Sequence, residues 1–414
     1  MASGPCSITI EEATERLIDY RGKTPAKTSK GVRLVTAKVI KGGQILDEPS
    51  EYIAADYYDE WMRRGLPRRR DVLITTEAPL GEVAMLKTDD RVALAQRVIL
   101  LRARAECVDP SYLLFALQSE FAQAELRARG SGTTVLGIKQ SELRRARIPH
   151  FPIERQRRIA SILSAYDDLI ENCQRRSRIL EDMARGLYRE WFVHFRFPGA
   201  DRMPHINSPL GLIPRGWEVR LLRELAAVNR QQVSARSASA DIYYIDIASV
   251  SPGRIDAVMS CRFSDAPQRA RRVVQHGDVL WSCVRPNRRS HALVMSPAAN
   301  TIASTGFAVL SPTRVPYSYL YNATTTDDFV AYLTNHATGA AYPAVTAKTF
   351  EDAALVLPDK SLLADFASTA EPIYEMAHGL GLKITNLRRT RDLLLPRLMS
   401  GQIDLRATED AVPA

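Results

Sequence analysis

The segment Ser282-Cys-Val-Arg-Pro-Asn-Arg-Arg-Ser290 places Arg285, Asn287, Arg288 and Arg289 beside one proline. Guanidinium groups fork onto the O6/N7 edge of guanine, side-chain amides onto the N6/N7 edge of adenine, and both bond phosphate oxygens. A loop carrying both types is suited to a polyanion read by base edge as well as by charge. Related sets recur along the chain. Arg21, Lys23, Thr24, Lys27 and Lys30 share a Gly/Pro/Ser/Thr-rich loop, and Arg63, Arg64, Arg68, Arg69 and Arg70 flank a Gly-Leu-Pro turn. Thr76 closes an apolar run and Gln96-Arg97 interrupts another, while Thr133, Thr134 and Lys139 follow Gly130-Ser-Gly. Later come Arg230-Gln231-Gln232, then Arg269, Arg271 and Arg272 as phosphate-type cations, then Tyr342 and Lys348. Taken singly, any one Arg has a solvated helix face as its bland reading, Arg63 and Arg64 read equally well as a solvated turn, and Tyr342 reads as ordinary packing. The net charge of +9 tilts the set toward a polyanionic partner.

Motifs for catalysis are missing. The chain has no Pro-Pro pair, as the amino-methyltransferase signature Asp/Asn/Ser-Pro-Pro-aromatic requires, no GxxxxGK[ST] phosphate loop and no HExxH. No Ser, Cys and His occur in a context that suggests an activated nucleophile. Asp167-Asp168 and Glu181-Asp182 fall in a helical run and are expected to face solvent. None of the seven His lies at ligand spacing from a Cys or another His, and the five Cys form no CxxC, so no metal site and reduced thiols are expected. No apolar run approaches the ~20 residues of a membrane span, and the first residues lack a signal-peptide pattern. The expectation is a non-catalytic, soluble, cytoplasmic chain.

The polar loops need a scaffold, and the sequence specifies one. From Ile153 to Phe197 no proline intervenes, and apolar residues recur every seven positions at Ile159, Tyr166, Cys173, Leu180 and Leu187, with Ile162, Leu169 and Met183 between them. That is a coiled-coil seam on a helix roughly 65 Å long. Phe366, Ile373, Leu380, Leu387 and Leu394 repeat the seam 207 residues later, in a helix that Pro372, Gly379 and Gly381 are expected to weaken or kink. Asp71-Val-Leu recurs at the same offset as Asp278-Val-Leu, and Gly132 as Gly339, so one globule-plus-helix is duplicated.

In the first copy we expect a helix over 10–20, strands over 32–36, 71–75, 82–86 and 97–101, and one helix over 112–127 burying Leu113, Leu117, Phe121 and Ala124. A short helix over 139–145 and an extended lead-in follow. In the second we expect a helix over 221–228, strands near 243–247, 278–282 and 306–310, and a helix over 326–338. The domain boundaries are then 1–152 and 217–358 for two similar heads, 153–197 and 359–402 for the helices, 198–216 for a proline-spaced linker and 403–414 for a tail. The fold class is α+β, with two similar globular domains joined by two long antiparallel coiled-coil helices in an internal pseudo-two-fold duplication. Such a caliper fits a reader of duplex DNA, or a spacer that presents two heads to protein ligands; periodicity alone leaves both open.

Specific stretches narrow the choice. Tyr20-Arg-Gly-Lys-Thr-Pro25, Gly65-Leu-Pro-Arg-Arg-Arg-Asp-Val-Leu-Ile-Thr-Thr-Glu-Ala-Pro-Leu-Gly81, Ala93-Leu-Ala-Gln-Arg97, Gly130-Ser-Gly-Thr-Thr134, Pro152-Ile-Glu-Arg-Gln156 and Leu393-Leu-Leu-Pro-Arg-Leu-Met-Ser-Gly401 resemble the specificity subunits of type I restriction-modification systems over nearly the whole chain. Arg155 stands where those proteins usually carry Glu. The resemblance implies two target-recognition domains, each reading half of a split, asymmetric site in double-stranded DNA. It implies two modification subunits holding S-adenosylmethionine for adenine-N6 methylation, and restriction subunits using ATP and Mg, with no cofactor in this chain. A stand-alone two-headed DNA-binding regulator is the alternative.

Overall fold

A computed structural model of the chain describes residues 6–20, 24–234, 239–403 and 405. By contact it forms two units, Met1–Asn172 with Ile384–Ala414, and Cys173–Lys383.

At the centre of the first unit, Thr14–Asp19, Val98–Ala103, Val72–Thr76 and Leu80–Met85 form an antiparallel sheet in that order. Its inner strands are nearly all apolar because both faces are covered. Val72, Ile74, Ile99 and Leu101 pack with the helix Pro110–Gln118 and with Leu398, Met399 and Leu405 from the far end of the chain. Leu73, Val98 and Leu100 point the other way, toward a small sheet of Tyr52–Ile53, Val32–Val35 and Val92–Leu94.

Two sequence expectations fail here for identifiable reasons. The helix expected over 10–20 spans only Ile10–Ala13, closed by a Thr9–Glu12 capping box, and then becomes the strand Thr14–Asp19. Pairing with Val98–Ala103 outweighs a weak local helical period. The helix expected over 112–127 is two, Pro110–Gln118 and Glu120–Arg129. Ser119 is extended between them (φ −63°, ψ 147°), and its hydroxyl caps the second. The break re-phases that helix, so Phe121 and Ala124 are exposed while Ala122 and Leu126 are buried.

The second unit repeats the plan. Ala226–Val228, Phe307–Pro312, Val279–Ser282 and His291–Leu293 form the central sheet. The second sheet again contains one parallel pair, Asp241–Ile245 with Thr301–Ser304, as Val32–Val35 with Val92–Leu94 does in the first. The 207 offset holds to the residue in the loops. The bridges Glu77↔Gly137 and Ser131↔Gly137 recur as Val284↔Ala344 and Thr338↔Ala344. It does not hold throughout, because small insertions shift the early strands: Cys6–Thr9, paired with Arg147–His150, corresponds to Glu218–Leu221, paired with Ala354–Leu357. The helix expected over 221–228 is only Leu222–Leu225 followed by a strand, and a helix at Tyr317–Ala323 was not anticipated. Within the proline-spaced linker, His205–Ser208 and Gly211–Pro214 form a hairpin.

The long helices are Ile153–Tyr188, extended by a π-helical turn Arg189–Val193, and Lys360–Met399. The second runs unbroken through Pro372, Gly379 and Gly381. In the first unit they pair antiparallel: Arg155 bonds the carbonyl of Ile403, and Arg391 meets Asp167 at 2.6 Å. In the second, the rings of Tyr188 and Phe192 lie 6.2 and 5.0 Å from that of Phe366. The first row of the seam faces inward: Ile159, Cys173 and Phe366 are buried, and Tyr166, Leu180, Leu187, Ile373, Leu380, Leu387 and Leu394 are half-buried. The companion row is Leu163, Ile170 and Ala184, four residues on, rather than the expected row three residues on; Leu169 and Met183 are about half exposed. Apolar side chains occupy both rows, so periodicity alone could close the stripe on either side. Asp167, expected in solvent, is buried against Arg391, and Glu181 is buried enough that desolvation raises its pKa.

The duplication exposes one buried charge to a clean comparison. Asp71 takes a forked pair of bonds from Arg102, 2.8 and 2.7 Å, with both side chains nearly enclosed. Its counterpart Asp278 is equally buried but has Ser311 and the backbone NH of Gln275 as partners, and burial raises its pKa. A carboxyl whose folded pKa is raised favours folding below the ordinary carboxylate range and loses that contribution as pH rises. At pH 7, Asp71→Asn should therefore cost about 3–5 kcal/mol by breaking a buried pair, while Asp278→Asn should be neutral or stabilising. Denaturant midpoints of the two variants test the difference in sign.

Candidate nucleic-acid interface

The strands Val72–Thr76 and Val98–Ala103 run antiparallel, which brings the end of the first beside the lead-in to the second. Thr76 donates its backbone NH (2.9 Å) and its hydroxyl (3.3 Å) to the carbonyl of Arg97. Thr76, expected to touch a ligand, is 2% exposed and acts as scaffold. The Arg97 side chain is held through Nε by Glu77 at 2.7 Å, and Thr24 donates its hydroxyl to the Gln96 amide oxygen at 3.2 Å. Glu77, Gln96 and Arg97 line a depression of about 360 Å³ whose wall includes Ser131, Val135 and Lys139. Its loop turns at Gly132 (φ +124°), where a Cβ would lie 2.2 Å from the Val135 carbonyl. Thr133 and Thr134 are exposed on that loop, and Lys139 pairs with no carboxylate among the described residues.

Other residues do not join this group. Arg68, Arg69 and Arg70 sit at the opposite end of Val72–Thr76, where Arg69 pairs with Asp89 (3.7 Å) and Arg70 with Asp109 (3.3 Å). The Asp109 backbone NH bonds Gln156 of the long helix, so this turn belongs beside the helix. Lys27 pairs with Glu51 at 2.7 Å, and Arg63 with Glu60 at 3.7 Å. Arg21 and Lys23 lie outside the described residues.

In the second unit the same frame carries different side chains. Arg285 (φ +52°) occupies the left-handed turn that Ala78 (φ +51°) occupies in the first. Its backbone NH bonds the Pro343 carbonyl (2.7 Å), Nη2 bonds that of Ala341 (3.3 Å), and the guanidinium lies 4.5 Å over the Tyr342 ring. Tyr342, at the position of Val135, is 68% exposed. Asn287 and Arg288 are exposed beside them, and Arg289 pairs with Asp327 at a helix start.

Arg230, Gln231 and Gln232 form an exposed strip whose Gln232 bridges Arg272. The expected phosphate cations are otherwise engaged. Arg269 pairs with Asp246 (2.6 Å), and Arg271 stacks 5.1 Å over Phe263. Arg272 is partly enclosed, its Nε lacks a bond, and burial lowers its pKa. Lys348 pairs with Asp352 at 3.0 Å.

Sequence reasoning missed Glu77 as the group that fixes Arg97, because their pairing depends on strand register. Among the described residues no cluster of His, Cys, Asp and Glu could hold a metal, and no helix is long and apolar enough to cross a membrane.

Two duplicated α+β heads carry polar loops at matching places, and known proteins share both the sequence pattern and the fold. Residues 56–181 match the type I restriction modification DNA specificity domain. The type I restriction enzyme MjaIX specificity subunit of Methanocaldococcus jannaschii is 24% identical over 341 residues, 80% of this chain and 77% of that protein. The putative MjaX specificity subunit of the same organism is 30% identical over 149 residues, 35% of this chain and 34% of that one. The crystal structure of the type I restriction-modification S subunit from M. genitalium shares the fold over 95% of both chains, with a TM-score of 0.58 at 16% identity. The chain is thus similar over most of its length to type I restriction-modification specificity subunits and carries their DNA specificity domain at residues 56–181.

Proposed function

We propose that each head reads one half of a bipartite, asymmetric DNA site and that the chain thereby directs adenine-N6 methylation by partner subunits. The observation that carries the reading is a common backbone frame with exchanged side chains: Glu77, Ala78 and Val135 in one head, Val284, Arg285 and Tyr342 in the other. A preserved frame keeps the loops aimed alike, while different donors and acceptors select different bases. Two modification subunits would supply S-adenosylmethionine and extrude the target base; restriction subunits would add ATP- and Mg-dependent cleavage. The chain itself supplies register and sequence choice.

The purified chain, given S-adenosylmethionine and DNA, should methylate nothing, and adding the modification subunits should produce methylation at one split motif. Robust transfer by the chain alone would overturn the assignment. Sequence-specific binding by a chain that assembles with no modification subunit would favour a stand-alone regulator.

A further inference from the structure

We propose that Gln96 and Arg97 are the base readers of the first head, contacting neighbouring A·T and G·C pairs, and that Glu77 is the residue that positions Arg97. This rests on the DNA-reading function proposed above and adds which bases that head selects. The geometry separates base contact from phosphate contact. Arg97 forms an ion pair with Glu77 on its Nε side at 2.7 Å, and its terminal Nη pair makes no hydrogen bond among the described residues, so that pair is available to another acceptor. A carboxylate beside the guanidinium repels a fully charged phosphate more strongly than the uncharged O6/N7 edge of guanine, so this arginine is better suited to a base than to the DNA backbone.

Gln96 is oriented too. Thr24 donates to its amide oxygen at 3.2 Å, which leaves that oxygen's second lone pair and the amide nitrogen for the N6/N7 edge of adenine. The two bonds from Thr76 to the Arg97 carbonyl hold the backbone from which both side chains project. Lys139, across the depression, has no carboxylate partner among the described residues and is the phosphate-type contact of the same site.

The second head cannot use this device. The strand partners Val98↔Thr75 and Phe307↔Ser282 put Gly306 where Arg97 stands. A Cβ at Gly306 would meet Ile247 Cδ1 at 2.8 Å. Val284 replaces Glu77, so reader and buttress are lost together and selection passes to Arg285 and its neighbours.

The test is methylome sequencing of cells carrying the complete system with wild-type chain, Gln96→Ala, Arg97→Lys, Glu77→Gln or Lys139→Ala, with co-purification of the modification subunits confirming assembly. Gln96→Ala should relax one A·T position of one half-site, and Arg97→Lys the neighbouring G·C position, each with roughly five- to a hundredfold lost discrimination. Lysine rescues a phosphate contact but not a forked one. Glu77→Gln should relax the same position as Arg97→Lys, to a smaller degree. Lys139→Ala should lower methylation at every site and leave the motif intact.

An unchanged motif in Gln96→Ala and Arg97→Lys overturns the inference, as does full rescue by lysine or a uniform fall in all four variants. No methylation dependent on the wild-type chain would instead overturn the function on which it rests.

Discussion

Alanine at both Arg285 and Arg288 should cut methylation of the mapped site by roughly thirtyfold or more, while modification subunits still co-purify with the chain. Each base-edge contact contributes about 1–3 kcal/mol, and a tenfold change in affinity corresponds to about 1.4 kcal/mol. Arg288 is exposed with no side-chain partner among the described residues, so its removal leaves the fold intact. Arg285 does more than present charge. Its stack on Tyr342 and bond to Ala341 tie the turn to the Gly339 loop, so truncation also frees an aromatic ring that is presented to solvent. Arg289 is left in place because its pairing with Asp327 anchors the helix Asp327–Asn335. Arg285→Lys should recover little, since lysine can neither fork nor stack as well. Unchanged methylation in the double variant, with assembly intact, removes this turn from the DNA interface.

A seven-residue insertion after Ser177, matched by one after Ile384, should change the interval between half-sites and leave both half-sequences unchanged. One heptad keeps the seam in phase and lengthens a helix by ~10 Å, the rise of about three base pairs. Four residues instead turn the helix by ~400°, about 40° past a full turn, which carries the first buried row into the place of its companion row and swings that companion row, with Ala184, out of the seam. The four-residue variant should therefore lose both assembly and activity. The heptad variant should lose methylation at the original site and gain it at one with a longer spacer, read from a library of spacer lengths. Methylation confined to the original spacing would make the helices a docking surface and not a ruler.

What the sequence discloses and what it hides follow from the range of the interactions. The long helices are legible because a seam of Ile159, Cys173 and Phe366 repeats in one register, and the duplication because loop anchors such as Gly132 and Gly339 keep one separation. The choice of the second row was not legible, since Leu163 and Leu169 are equally apolar and only packing distinguishes them. Ser119 hid a helix break, because serine fits a helix interior and a cap alike.

At the candidate interface, Arg285 and Tyr342 meet across 57 residues, and Arg97 finds Glu77 only after two strands pair. Sequence clustering therefore ranked Arg68, Arg69 and Arg70 with the readers, although strand direction carries them to the far end of Val72–Thr76.

One feature of the first unit bears on how the molecule is made. Leu398, Met399 and Leu405 fill the same core as Ile10, Val72 and Leu101, whereas the second unit is a single uninterrupted stretch, Cys173–Lys383. On the ribosome, the head translated first therefore waits with an open core for the last helix to emerge, while the later head has all its parts earlier. The order of synthesis and the order of completion are opposite. The first half of the site would become readable only after residues 398–405 have emerged and closed that core.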